Sequence, residues 1–327
     1  MTNEDSACAA WTTPDELALA RDWIVTRLDA LGLTPRGEPH IVKQGPISVV
    51  WRQPIEGGAD VFFKAVPPLF APEPPLTEWL SRRWPAHVPP VLAIDRARRW
   101  MLTRAVAGVA LSELDASEAW AATVRALARI QIDSISHAAE LAEHGCPTRE
   151  LDALPGELDR VLEEAIPLCA ATENAVPDAV VRALHARRDS LRADAARLAG
   201  FGVPATLIHG DFVPGNVLIA GGSAVIIDWT DGARAHPFFD LVIFARGRAA
   251  RRAAAPRDAL AQAYLAEWSA AGLGDAGALG EAFDLAQRLA PLYHAASYRR
   301  IFELGPAAVA EFADVLAWLL GMVVEDA

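Results

Sequence analysis

Residues Leu207-Ile-His-Gly-Asp-Phe-Val-Pro-Gly-Asn-Val-Leu-Ile219, followed by Val225-Ile-Ile-Asp-Trp229, decide how this chain is read. Two short apolar runs, 217–220 and 224–227, flank Gly221-Gly222. A glycine pair tolerates positive φ and reverses the chain, so the runs fold back as a β-hairpin that brings Asn216 and Asp228 together. Upstream, Thr206-Leu207-Ile208 is a third apolar run feeding His209-Gly210-Asp211, which puts Asp211 on a tight loop at the hairpin's open end. Three oxygen-bearing side chains converge on one cavity.

The residue types suit one chemistry. Mg²⁺ is a hard cation that takes one or two protein oxygens and completes its shell with phosphate and water, a role that Asn216 and Asp228 fit. The remaining carboxylate, Asp211, is placed to orient an acceptor hydroxyl and take its proton. An Asp followed by four residues and an Asn is the catalytic-loop spacing of phosphoryl transfer. Either fragment alone is commonplace, and their conjunction in a strand, loop and hairpin carries the assignment. A zinc hydrolase is the competing reading of His209 and Asp211. No second His/Glu cluster accompanies them, and zinc favours more nitrogen or sulfur ligands.

The stretch from His209 to Asn216, with Ile227-Asp228-Trp229, resembles the aminoglycoside phosphotransferase/choline kinase family of small-molecule kinases. The resemblance implies an α+β, bilobal protein-kinase-like fold. Residues 1–104 would form a small β-rich N-lobe with a nucleotide-binding sheet, one main helix and an N-terminal helix. Residues 105–327 would form a larger, mainly helical C-lobe holding the catalytic loop and the metal-binding hairpin. It also implies ATP and Mg²⁺ as cofactors and a small-molecule hydroxyl as acceptor, with Asp211 catalytic and Asn216 and Asp228 on the metal. An antibiotic acceptor is the expectation the family name carries, and Trp229-Thr230-Asp231 has some likeness to macrolide phosphotransferases. A metabolic kinase of choline, homoserine or sugar type and a non-catalytic nucleotide-binding pseudokinase are the alternatives.

The first hundred residues are read against that expectation. Ser48-Val-Val-Trp51 and Val61-Phe-Phe-Lys64-Ala-Val66 are β-rich runs separated by a Glu56-Gly-Gly58 hairpin signal, and Lys64 interrupts the second. Lys64 is the candidate phosphate-binding lysine. In the family such a lysine pairs with a Glu on the next helix. Within Glu73-Pro-Pro-Leu-Thr-Glu78, Glu78 is read as lying inside that helix and Glu73 as preceding it, with the prolines in its first turn. Gln44-Gly45-Pro46-Ile47-Ser48 takes the place of the phosphate-covering loop with a single glycine, which puts Ser48 on the nucleotide. Stretches 88–94 and 100–104 read as another strand pair. Residues 103–108 link the lobes, with Thr103 and Val106 at the nucleotide base and Leu102 as a further wall. No Walker A pattern occurs.

Elsewhere the pattern is architectural. Thr13-Pro14-Asp15-Glu16 opens an amphipathic helix carrying Leu17, Ile24, Leu28 and Leu31, while Trp120, Val124, Leu127 and Gln131, and Phe312, Val315, Leu316 and Leu319, recur at helical spacing. By resemblance, Asp240 braces the catalytic loop, and Gln131 stands where many relatives carry His. His209 is read as a loop brace, and Asp231, Tyr293 and Tyr298 are named as acceptor-pocket residues. A net charge of −12 argues against a nucleic-acid partner and is compatible with a cationic acceptor. The Arg-rich stretch 246–252 reads as a solvated helical face. No uninterrupted apolar run reads as long enough to span a bilayer, the polar start is unlike a signal peptide, and Cys8, Cys146 and Cys169 are read as reduced thiols. A cytoplasmic location without membrane partners is therefore expected.

Overall fold

The computed structural model describes residues 13–246 and 256–325, so Cys8, the acidic start and most of the Arg-rich stretch lie outside it. Helix α1 (Pro14–Ala30) begins where the Thr13 hydroxyl accepts the Glu16 amide at 3.4 Å and proline occupies the first helical position. Its buried stripe is Ala20, Trp23, Ile24 and Leu28, and Leu31 falls just past the helix end and is exposed.

Five strands follow: β1 (His40–Gly45), β2 (Ser48–Gln53), β3 (Val61–Ala65), β4 (Val91–Asp95) and β5 (Trp100–Arg104). They pair antiparallel in the order β1-β2-β3-β5-β4. Because side chains alternate along a strand, the sheet has two distinct faces. Val49, Trp51, Val61, Phe63, Trp100 and Leu102 pack towards α1, where Phe63 lies 5.9 Å from Trp23, 5.4 Å from Trp51 and 5.6 Å from Trp100 between ring centroids. Val50, Phe62, Lys64, Met101 and Thr103 face a cleft on the other side. Leu102, expected as a wall of that cleft, is corrected by the same alternation: it is fully buried among the α1 contacts.

Helix α2 (Glu73–Arg83) sinks Leu76, Trp79 and Leu80 into the core of the helical half. Around that core lie α3 (Ser117–Ser134), with Trp120, Val124, Leu127 and Gln131 buried, and the Arg257–Ala270, Ala276–Phe302 and Pro306–Glu325 helices. The Pro306–Glu325 helix is, by length and a mean hydropathy of 1.9, apolar enough to cross a membrane, although Glu311 and Asp314 interrupt its apolar run. Packing accounts for much of that character, since Leu316, Leu319, Leu320 and Val323 are fully buried. Glu311 and Asp314 on the same helix are exposed.

Five short strands complete the fold: β6 (Val109–Ala110), β7 (Thr206–Ile208), β8 (Val217–Ala220), β9 (Ser223–Ile226) and β10 (Ala233–Ala235). β8 and β9 form the hairpin across Gly221-Gly222, whose φ values of 57° and 82° are the positive angles the turn demands. β6 pairs with β8, and β7 with β10.

Phe63 fills the centre of the α1–sheet cluster. Phe63→Ala should therefore lower unfolding stability by about 3–5 kcal/mol in denaturant titration. A loss near zero would contradict the packing.

Candidate active site

Lys64 is almost fully buried, which is unusual for a lysine and requires that its charge be met. An ammonium has three N–H donors, and here each finds an oxygen: Glu73 Oε1 at 2.6 Å, Asp228 Oδ1 at 2.6 Å and Thr230 Oγ1 at 2.7 Å. The Thr230 hydroxyl donates in turn to Asp228 Oδ1. Burial works against the charge on Lys64, but Asp228 and Glu73 outweigh it and hold the ammonium above its ordinary range. Asp228 is held below the usual carboxylate range: burial opposes its charge, and Lys64 and Thr230 overcome it. For Glu73 burial wins, and its carboxyl is raised.

This geometry corrects two readings. Glu73 is not upstream of the helix but its first residue, and it is the acid that meets Lys64. Glu78, expected in that role, lies more than a turn further along and pairs with Arg82 at 3.0 Å across one helical turn. The acid in the first turn, beside the prolines, is the signal that would have identified Glu73.

Asp228 follows β9 with φ at 65°, a left-handed conformation uncommon outside glycine. Its Oδ2 accepts no hydrogen bond among the described residues. Asn216 closes the short 3-10 turn Pro214–Asn216, and its side-chain N–H₂ donates to the Asp211 carbonyl at 3.0 Å and to Asp211 Oδ2 at 3.1 Å. With the amide nitrogen so committed, Asn216 Oδ1 accepts no hydrogen bond among the described residues. The hairpin register that pairs Val217 with Ile226 places Asn216 beside Ile227, whose N–H reaches the Asn216 carbonyl at 2.9 Å. Two oxygens without partners thus flank the start and end of one hairpin. Among the described residues no cluster of three or more His, Cys, Asp or Glu is arranged to hold a metal.

The loop carrying Asp211 is fixed by buried polar bonds. Asp240 accepts the His209 N–H at 2.8 Å, the Gly210 N–H at 2.9 Å and Gln131 Nε2–H at 3.0 Å, and Gln131 Oε1 accepts the Tyr264 hydroxyl. Burial pushes the Asp240 carboxyl up to about 7 despite its three donors. His209 Nε2–H donates to the Ile227 carbonyl at 2.9 Å, which leaves Nδ1 to accept the Asp211 N–H at 3.3 Å. Trp229 packs on that ring at 4.8 Å, and burial holds the imidazole down at about 4. Gly210 lies against Asp231 so closely that a Cβ there would sit 2.3 Å from the Asp231 carbonyl oxygen. Burial and the neighbouring Asp231 and Asp228 charges raise Asp211 to about 8.

The cleft between sheet and hairpin has a volume of about 380 Å³. Lys64, Glu73 and Asp228 sit at its inner end, and Val50, Met101, Thr103, Val106 and Leu218 are among its walls. Thr103 and Val106, expected at the nucleotide base, thus line this cleft. Ser48 is not: at the first position of β2 it is 2% exposed and lies outside this wall. The turn before it, Pro46-Ile47, instead packs Ile47 against a cluster of Val66, Phe70, Ile301 and Ala308. Asp231 lines a narrow cavity and Tyr293 a larger one of about 450 Å³, both beyond the hairpin.

A sheet over a hairpin, with a lysine–glutamate pair and an Asp/Asn/Asp set between them, defines a kinase-like phosphotransferase. The model of the APH phosphotransferase enzyme family matches residues 56–273, and the chain belongs to that family. Solved structures agree in fold. A macrolide 2'-phosphotransferase type I is 18% identical with a TM-score of 0.59, covering 94% of this chain and 96% of that one. Choline kinase LicA from Streptococcus pneumoniae is 14% identical with a TM-score of 0.60, covering 93% and 97%. The GDP complex of aminoglycoside 2'-phosphotransferase-IIIa is 16% identical with a TM-score of 0.55, covering 94% and 98%. No curated protein matches the chain in sequence.

Two outcomes follow from the loop. Gly210→Ala forces a side chain onto φ at 80° and into Asp231, and should cost at least about 2 kcal/mol of stability. His209 has an ordinary value of 6.5 and about 4 when folded, so the unfolded chain binds its proton first. Its contribution to stability is complete above about pH 6.5 and is lost as pH falls towards 4. A ¹⁵N titration of the imidazole should show a neutral ring at pH 5.5, and a midpoint near 6.5 would contradict its burial.

Proposed function

We propose that this phosphotransferase moves the γ-phosphoryl group of ATP, with Mg²⁺, to a hydroxyl of a small molecule. The observation that carries the reading is Lys64, buried at the inner end of the cleft and shared between Glu73 and Asp228. All three of its donors are already used, so a nucleotide phosphate entering the cleft takes the place of Asp228 or Thr230 on the ammonium, while Glu73 continues to hold it. The base lies outward between Val50, Met101, Val106 and Leu218, where the walls are apolar.

The oxygens without partners on Asn216 and Asp228 are the donor type a hard divalent cation takes, and with only two of them the shell needs phosphate and water. When bound there, Mg²⁺ supplies charge neutralisation for the transferring phosphoryl group. Asp211 orients the acceptor hydroxyl and accepts its proton, and Asn216 fixes the Asp211 carboxylate for that task. Asp240, three bonds deep in the core, keeps the loop in place so that little reorganisation accompanies the reaction.

Nucleotide consumption with a panel of hydroxyl compounds tests this. Asp211→Asn should lower kcat by about two orders of magnitude or more while leaving nucleotide affinity nearly unchanged, the scale of lost general-base catalysis. Asp228→Ala should abolish the Mg²⁺ dependence. Near-wild-type turnover by Asp211→Asn would remove the assigned base.

A further inference from the structure

Beyond the hairpin, two cavities lie side by side: a narrow one that reaches Thr230, Asp231 and Gly232, and a larger one of about 450 Å³ between the 147–160 segment and the Ala276–Phe302 helix. Both are lined by Arg149 and Arg300. The other arginines of the larger cavity are compensated, since Arg160 pairs with Glu157 and Arg299 with Glu164 at 2.8 Å and Glu303 at 3.1 Å. Arg149 and Arg300 meet carboxylates only at longer range, Asp231 and Glu157 for Arg149 and Glu303 for Arg300. Neither forms an ion pair among the described residues, and Asp231, the nearby carboxylate, bonds to neither.

Arg149 is held rigidly. Its N–H reaches the Arg234 carbonyl at 2.9 Å and the Arg234 N–H reaches the Pro147 carbonyl at 2.8 Å, which stitches its segment to β10. Its guanidinium stands over the Tyr293 ring at 5.4 Å, and Nη1 donates to Ser297 and to the Tyr293 hydroxyl at 3.3 Å. Its Nε is buried with no partner. Arg300, half-buried on the same helix as Tyr293 and Ser297, makes no hydrogen bond at all among the described residues. Burial and the neighbouring Arg149 charge push Arg300 below its ordinary value. Two guanidinium groups forced together, one with a dry unused donor, want an anion: a carboxylate or phosphate matches the fork of N–H groups they present.

We infer that Arg149 and Arg300 form the subsite for an anionic group of the acceptor, so that the phosphorylated compound is a hydroxy acid or another anionic alcohol and not a polycation or a quaternary amine. This rests on the phosphotransferase reading above, because the narrow cavity reaches Asp231, whose backbone lies against Gly210 beside Asp211. Asp231 and Glu157 act on Arg149 and Glu303 on Arg300 without pairing to either, so both guanidinium groups keep N–H donors for an anion. The overall charge of −12 does not decide the matter, because what a ligand meets is the field within the cavity.

The test compares gluconate, glucose and glucosamine, together with other hydroxy carboxylates and their amides, in nucleotide consumption by the full chain saturated with Mg²⁺-ATP. Choline and kanamycin serve as cationic probes. Arg300→Gln is the informative variant, because its side chain holds nothing else in place, and Arg149→Gln is the second. The carboxylates should be the preferred acceptors. Arg300→Gln should raise their KM about tenfold or more with kcat within about twofold, while the uncharged compounds are unaffected. Preference for a cationic or uncharged acceptor, failure of every anionic compound, or an unchanged KM in both variants would overturn the assignment. Binding of Mg²⁺-nucleotide, followed separately by the thermal midpoint, tells failure of this subsite from failure of the phosphotransferase reading.

Discussion

One buried ammonium joins three parts of the chain. Lys64 comes from β3, Glu73 from the first turn of α2, and Asp228 and Thr230 from the segment after β9, and all meet on a single nitrogen. Removing one partner from such a group leaves an uncompensated charge in a dry site, at a cost of about 3–5 kcal/mol. The sheet, α2 and the hairpin are therefore held in register by the same contact that lies at the end of the cleft. All three Lys64 donors are already used, so in the proposed reaction a phosphate exchanges with an oxygen on Lys64 and does not fill a vacant donor.

A second constraint lies beneath the hairpin. Tyr264, Gln131 and Asp240 run as a buried polar chain from the Arg257–Ala270 helix through α3 to the backbone of His209 and Gly210. Low dielectric strengthens every bond in such a network and makes each member hard to replace singly. It places Asp211 on a rigid support, with His209 neutral and committed to two backbone groups. The rest of the helical core supplies a scaffold for this support.

The local parts of this account were legible in the sequence. The hairpin and the Asp211–Asn216 loop are set by glycines, a proline and short apolar runs within about twenty residues, so their geometry could be reasoned before any fold was known. The partner of Lys64 could not, because prolines at 74 and 75 mark a helix start without fixing whether Glu73 belongs to it, and Glu78 sits at an equally plausible helical position. Leu102 failed through strand phase, since a shift of one residue exchanges the two faces of a sheet, whereas Ser48 shares the parity of Val50 but sits buried at the start of β2, outside the cleft wall. Arg149 and Arg300 were beyond reach: they are far apart in sequence, and what marks them is that both line the same two cavities with no ion pair among the described residues. The apolar Pro306–Glu325 helix shows the same limit, because only its packing distinguishes a core helix from one that crosses a bilayer.

Thermal unfolding of the wild type and of Asp228→Ala, with ATP alone, Mg²⁺ alone and both, tests the central claim that Lys64, Asn216 and Asp228 make one nucleotide–metal site. A ligand that binds only the folded chain raises its midpoint by mass action. The account predicts a rise with ATP and Mg²⁺ together that exceeds either alone and disappears in Asp228→Ala. No rise at saturating ATP and Mg²⁺, or an equal rise in the variant, would contradict it.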